Sequence, residues 1–208
     1  YNSGKTTVLF AMLEELNRLA SRRILSVERP IEYVLEDDKS MIQQMEVGRD
    51  VASFREALTA AREEDYDVVY VSDLIGEEVL GPVFDLIASG KLVIVELNAL
   101  SAVGAIQGLL AQCIRQGIAH ASDVCADNLE LVLNIRLVPT ESRGERLASE
   151  VLIMLPELRT LVREEKFLQI EGVLETAKRQ GLPTLDQSIA ELVNRGKISK
   201  QTALEYAR

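Results

Sequence analysis

The sequence predicts an α/β fold with a mainly parallel sheet, followed by a small all-α domain. Three observations carry this reading. Apolar runs of strand length alternate with helical periodicity through residue 154. Those runs are almost uninterrupted, as in strands covered on both faces. Beyond Pro156 no strand pattern remains. The expected division is therefore 1–154 for the α/β core and 155–208 for a helical C-terminal domain.

The elements follow in order. From Lys5 to about Ala20, Leu9, Met12, Leu13, Leu16 and Leu19 recur at helical spacing, and Arg22 and Arg23 suit the helix end. Residues 24–27 read as a strand that Pro30 ends, and 31–46 as small strands and loops. A helix over 50–64 places Phe54, Ala57, Leu58 and Ala61 on one face. The run 67–73 is a buried strand flanked by acids. A helix over 77–89 stops at Gly90, which fits the left-handed position just past a helix. Residues 92–95 form the next strand, and helices are expected over 101–112 and 118–128. Two further strands, 129–137 and 147–154, flank a polar turn at 139–146. Four short helices fit the tail, near 156–165, 167–179, 184–194 and 199–207. In the third, Thr184 and Gln187 form a capping-box signature and Gly196 is a stop.

Composition narrows the function. The 208 residues are 47% hydrophobic and 27% charged, enough to bury a core. No apolar stretch approaches the roughly 18 residues of a membrane span, so direct membrane insertion is not expected. The 33 acids against 23 bases, a net charge of −10, argue against nucleic acid as a partner. Cys113 and Cys125 have no metal-ligand companions and read as buried apolar residues of a reducing, cytoplasmic compartment. The single histidine, His120, reads as a surface or packing residue.

The sharpest motif is Asn2-Ser3-Gly4-Lys5-Thr6-Thr7, which opens directly into the first helix. Gly4, Lys5 and Thr6 match the end of the phosphate-loop pattern G-x-x-x-x-G-K-[ST]. Its first glycine would fall two residues before Tyr1, so the chain reads as a fragment whose feeding strand lies upstream. A helix N-terminus offers free amides and a positive dipole end to phosphate. Glycine admits close backbone approach, lysine puts a charge on the β- and γ-phosphates, and the threonine hydroxyl can ligate Mg²⁺. Residues 2–7 are thus the candidate ATP site, with Thr6 and Asp73 the candidate Mg²⁺ ligands. Asp73 ends the 68–73 run where a Walker B acid belongs, although a buried strand can also end in an acid without that role. By itself the first segment is also compatible with an ordinary helix start.

Several further blocks carry a resemblance. They are Glu28-Arg29-Pro30-Ile31-Glu32-Tyr33, Gln44-Met45-Glu46-Val47-Gly48-Arg49-Asp50, Val71-Ser72-Asp73, Leu97-Asn98-Ala99-Leu100-Ser101-Ala102, Glu150-Val151-Leu152-Ile153, Arg159-Thr160-Leu161-Val162-Arg163-Glu164 and Thr184-Leu185-Asp186-Gln187. In this order they resemble the Asp box, Walker B, His box and later segments of the type II secretion and type IV pilus ATPase superfamily. They are most similar to the PilT-type pilus retraction ATPases. The resemblance implies a RecA-like P-loop core, a homo- or hetero-hexameric ring and a further N-terminal domain. It also implies work on inner-membrane pilus or secretion platform proteins, at a cytoplasmic location peripheral to that membrane. Because the upstream strand is central in such a fold, the 208-residue chain alone is expected to be poorly stable. The Arg159/Arg163 pair is expected to offer a partner face.

The departures from the family pattern fall at catalytic positions. Asp73 stands where the family has glutamate, Arg29 where an acid is usual, and Asn98 where the His box has histidine. Ile75 and Gly76 replace an arginine and an acid, and Thr59 and Glu63 replace two arginines, with Arg62 one step out of register. Asp73 and Glu28 remain as catalytic candidates. Such arginines and acids manage charge at the γ-phosphate. The expected function is an ATP-binding ring subunit with weak or lost hydrolysis. The alternative is a fully active pilus retraction or secretion motor with compensating residues. A small-molecule kinase would need an acceptor lid that the sequence does not suggest.

Overall fold

The computed structural model describes residues 4–74, 78–141, 144–176 and 183–207. Contacts divide the chain into two compact units. One comprises Thr6–Leu97 with Gln112–Ile118, the other Tyr1–Lys5, Asn98–Ala111 and Ala119–Arg208. This differs from the division expected at 154/155.

The first unit carries helix α1 (Lys5–Leu19) from Thr6 onward, strands β1 (Arg23–Glu28) and β2 (Met41–Glu46), helix α2 (Phe54–Glu63), strand β3 (Val68–Val71), helix α3 (Leu80–Ala88) and strand β4 (Leu92–Val95). The four strands form one parallel sheet in the order β2-β1-β3-β4. β1 and β3 are central and buried almost throughout, which explains the unbroken apolar run Val68–Val71 of β3 and the apolar residues Ile24, Leu25 and Val27 of β1. Leu9, Phe10 and Leu13 of α1 pack on Ile24, Val68 and Tyr70. The alternate residues Leu25, Val27, Val69 and Val71 face the other way and are equally buried, and α2 and α3 pack on β1 and β4.

Local chemistry sets the ends of these elements. α2 starts at Phe54 because the Ser53 hydroxyl accepts from the Glu56 amide at 3.1 Å. Asp50, expected inside that helix, instead accepts from the Glu46 amide at 2.9 Å. The Arg49 guanidinium beside it, and then that backbone bond, hold the Asp50 carboxyl below its ordinary range. Gly90 takes the left-handed conformation (φ 89°) that ends α3. Of the helix expected from residue 77, Glu77 lies outside the described residues, while Glu78 and Val79 precede the helix, which begins at Leu80.

The second unit carries α4 (Ala102–Arg115) up to Ala111, then α5 (Ala121–Asn128), β5 (Leu131–Thr140), β6 (Gly144–Ile153), α6 (Pro156–Arg163), α7 (Phe167–Thr176), α8 (Leu185–Asn194) and α9 (Lys200–Tyr206). β5 and β6 form a separate antiparallel hairpin rather than extending the parallel sheet. Their ladder runs on through Val138↔Arg146 and Thr140↔Gly144, across residues expected to be turn. Val138 and Ala148 bury with Leu185, Ile189 and Ile198, so the hairpin and the C-terminal helices share one core. The Thr184–Gln187 capping box is formed as expected. The last residues expected in the second tail helix, 177–179, lie outside the described residues.

Candidate functional site

In the first unit, the site elements converge on the carboxyl edge of the parallel sheet. The Phe10 ring meets Tyr70, near the end of β3, edge-on at 6.2 Å. The far end of α1 leads into the start of β1 through Ala20. The N-terminal turn of α1, with Thr6 and Thr7, therefore lies toward the edge where β1, β3 and β4 end. Asp73 follows β3 at that edge and is partly exposed.

Glu28 ends β1 and is 1% exposed. Its Oε1 accepts from the Ser26 hydroxyl at 2.6 Å and from Gln44 Nε2 at 2.9 Å. Gln44 also donates to the Tyr33 carbonyl and accepts from the Leu35 amide. Glu28 is thus built into the network that ties the loop after β1 to β2. The Tyr70 hydroxyl donates to Glu96 Oε1 at 2.9 Å, and burial, then the Glu96 charge, push its pKa far upward.

The second unit holds the remaining pieces of the motif. Gly4 is left-handed (φ 78°), and a side chain there would meet Leu137 of β5 at 3.3 Å. Lys5 Nζ donates to Asn98 Oδ1 at 2.9 Å. The phosphate-loop lysine and the residue at the His-box position are therefore direct neighbours. Asn98 begins the loop into α4, and Ser101 caps that helix by accepting from the Gly104 amide at 2.7 Å. Asn2 and Ser3 lie outside the described residues, as do Ile75 and Gly76.

Two residues around this loop had drawn no functional reading from the sequence. Glu150 of β6 is 5% exposed, and its Oε2 accepts from the Ala102 amide at 2.8 Å and from Asn134 Nδ2 at 3.1 Å. Asn134, directly opposite in the hairpin, also reaches the Leu100 carbonyl at 3.3 Å. The available signal is an acid and an amide next to apolar residues of the two strands, Glu150 before Val151-Leu152-Ile153 and Asn134 after Leu131-Val132-Leu133.

His120 is an exposed residue at the start of α5 with φ 52°, and its Nδ1 lies 3.9 Å from Asp123. Cys113 and Cys125 are buried. Thr59 turns its hydroxyl back onto the Arg55 carbonyl at 2.7 Å, and Arg62 lies 3.8 Å from Asp85. Arg159 and Arg163 do not project freely toward a partner. Arg159 donates to the Ala126 and Asp127 carbonyls at the end of α5 and pairs with Glu130 at 2.9 Å. Arg163 pairs with Asp123 and Asp127. Cations at a helix C-terminus answer its exposed carbonyls, so this pair fastens α6 to α5.

The fit to Mg²⁺ can be judged from the donors. Thr6 and Asp73 supply a hydroxyl and a carboxylate, hard oxygen ligands suited to an ion that keeps water and shares phosphate oxygens. Among the described residues no group of three or more His, Cys, Asp or Glu would hold a metal alone.

A parallel sheet whose carboxyl edge faces a helix opening on Gly-Lys-Thr defines the P-loop nucleoside-triphosphatase fold. The chain belongs to the Type II/IV secretion system protein family, which it matches over residues 2–205. It is 34% identical over 206 residues to the type IV pilus retractation ATPase PilT of Pseudomonas aeruginosa, covering 99% of this chain and 60% of that protein. It is 33% identical to a twitching motility protein of Neisseria gonorrhoeae, covering 99% of this chain and 55% of that one. The crystal structure of the pilus retraction motor PilT with bound ADP superposes with a TM-score of 0.87 at 30% identity, over 99% of this chain and 58% of that one. The Legionella pneumophila ATPase DotB shares the fold with a TM-score of 0.82 at 20% identity, over 98% of this chain and 57% of that one. The chain thus spans little more than half the length of these relatives.

Proposed function

We propose that this chain is the ATP-binding part of a ring ATPase of the type IV pilus retraction or type II secretion kind, with weak or lost hydrolysis. The observation that carries the proposal is the Gly4-Lys5-Thr6 helix start, with Lys5 engaged by Asn98. The free amides of the α1 N-terminus and the Lys5 ammonium bind the phosphates. The Thr6 hydroxyl and Asp73 hold Mg²⁺, which neutralises phosphate charge when bound. Asn98 accepts from Lys5 and carries an amide donor that can turn to the terminal phosphate. Unlike histidine, it cannot take or give a proton near neutral pH. Asp73 is one methylene shorter than glutamate, so a carboxylate that must polarise water is drawn back by about 1 Å, a displacement that can cost about 10²-fold. In the ring, the chain joins copies of itself or an active paralogue at inner-membrane pilus or secretion platform proteins, on the cytoplasmic side.

Calorimetric titration with Mg-ATP should give saturable binding in the wild type and none in Lys5→Ala, with phosphate release at the level of that variant. Absence of wild-type binding would overturn the proposal. A second reading, an active motor, is favoured by the 34% identity to a pilus retraction ATPase across this chain. Rapid Mg²⁺-dependent phosphate release by the wild type would select it.

A further inference from the structure

The Lys5–Asn98 contact depends on a loop that is held from the β5–β6 hairpin. Glu150 is an acid at 5% exposure in the middle of a strand, a placement that costs free energy unless the side chain is fully hydrogen-bonded. It is satisfied by two donors on one oxygen, the Ala102 amide at 2.8 Å and Asn134 Nδ2 at 3.1 Å. Packing alone would be served as well by an apolar residue. The Ala102 amide is one of the free donors at the N-terminus of α4, where a negative group is favoured. Asn134 extends the grip by one residue pair, to the Leu100 carbonyl. Leu100 and Ala102 are thereby fixed on either side of Ser101, two and four residues beyond Asn98.

We propose that Glu150, with Asn134, is a positioning residue for the phosphate site, holding the 98–101 loop so that Asn98 meets both Lys5 and the terminal phosphate. Glu150 touches no phosphate itself. Its effect passes through the Ala102 amide and Asn134 to the loop backbone, and through Asn98 to Lys5. The inference rests on the nucleotide-binding reading above and assigns that site its sensitivity to the third phosphate. ADP, lacking that phosphate, draws less on the loop than ATP does.

The test measures ATP and ADP affinities, with Mg²⁺, for the wild type, Glu150→Leu, Glu150→Gln, Asn134→Ala, Asn98→Ala and the Asn134→Ala/Asn98→Ala double variant. Glutamine keeps an oxygen that can accept from both donors, so Glu150→Gln should retain the wild-type ATP-to-ADP affinity ratio. Glu150→Leu and Asn134→Ala should lower that ratio about fivefold, the effect of one lost hydrogen bond. The double variant should be no worse than Asn98→Ala, because both changes act on one path. A residue needed only for folding would weaken both nucleotides alike or add to the Asn98 effect, and either result overturns the proposal. If Glu150→Leu fails to fold, Asn134→Ala decides, since it leaves the Ala102 cap in place. Absence of nucleotide binding in the wild type overturns the underlying site assignment. Intact binding with an unchanged ratio in Asn134→Ala overturns only the positioning role.

Discussion

Asn98→Asp places a negative charge where a neutral amide oxygen now meets the Lys5 ammonium at 2.9 Å. Unit charges at that separation attract by about 1.4 kcal/mol even in a medium as polar as water. Asn98 is exposed, so the aqueous value applies rather than the larger interior one. The gain strengthens the hold on Lys5, and Mg-ATP has to break the pair to reach the ammonium. The new carboxylate also repels the phosphates, which adds to the penalty. Binding of Mg-ATP should weaken about tenfold at low salt. Both effects are electrostatic and exposed, so the penalty should shrink as salt shortens the screening length. Asn98→Ala, which removes the amide without adding charge, should weaken Mg-ATP by about the fivefold of the positioning variants, and that loss should not depend on salt as the Asn98→Asp penalty does. Calorimetric titration at low and high salt reads all three proteins. Unchanged affinity in Asn98→Asp at low salt, or a penalty indifferent to salt, would refute the assigned contact.

Two further outcomes follow from the geometry. Gly4→Ala forces a side chain into a left-handed conformation and to 3.3 Å from Leu137, and the conformational cost of about 1–2 kcal/mol should weaken nucleotide binding about five- to thirtyfold, read by the same titration. Tyr66 is buried, and burial, then the hydrogen bond and charge of Glu64, raise its phenol to about 12 from an ordinary 10. The native state therefore keeps this proton where the unfolded chain loses it, so stability should fall as pH rises from about 10 toward 12. Urea denaturation across that range should show a shallower fall in Tyr66→Phe, and identical slopes in the two proteins would count against the assignment.

Where the sequence was legible, a local rule was enough. The stripe of α1, the apolar runs of β3 and β4, the left-handed Gly90 and the Thr184–Gln187 box depend on neighbours within a turn or two. β2 was legible only as mixed strand and loop. Its Met41–Glu46 sequence carries two glutamines, and it becomes a strand through six paired positions with β1 and the Gln44–Glu28 bond. The hairpin outran its apolar pattern because the backbone ladder carries on through Pro139↔Glu145 where the side chains face water. Asp50 was misplaced into α2 because a carboxylate that caps a turn resembles one in the first turn of a helix.

The sequence by itself determined the α/β class, the helix start at Gly4-Lys5-Thr6 and the apolar run of β3. The tertiary structure alone decided that Asn98 meets Lys5 across 93 positions and that Glu150 reaches the Ala102 amide across 48. It also turned Arg159 and Arg163 inward onto α5. Periodicity and capping are short-range and leave their mark in neighbouring residues. A hydrogen bond between distant segments exists only once both are packed, and nothing in either segment alone specifies its partner.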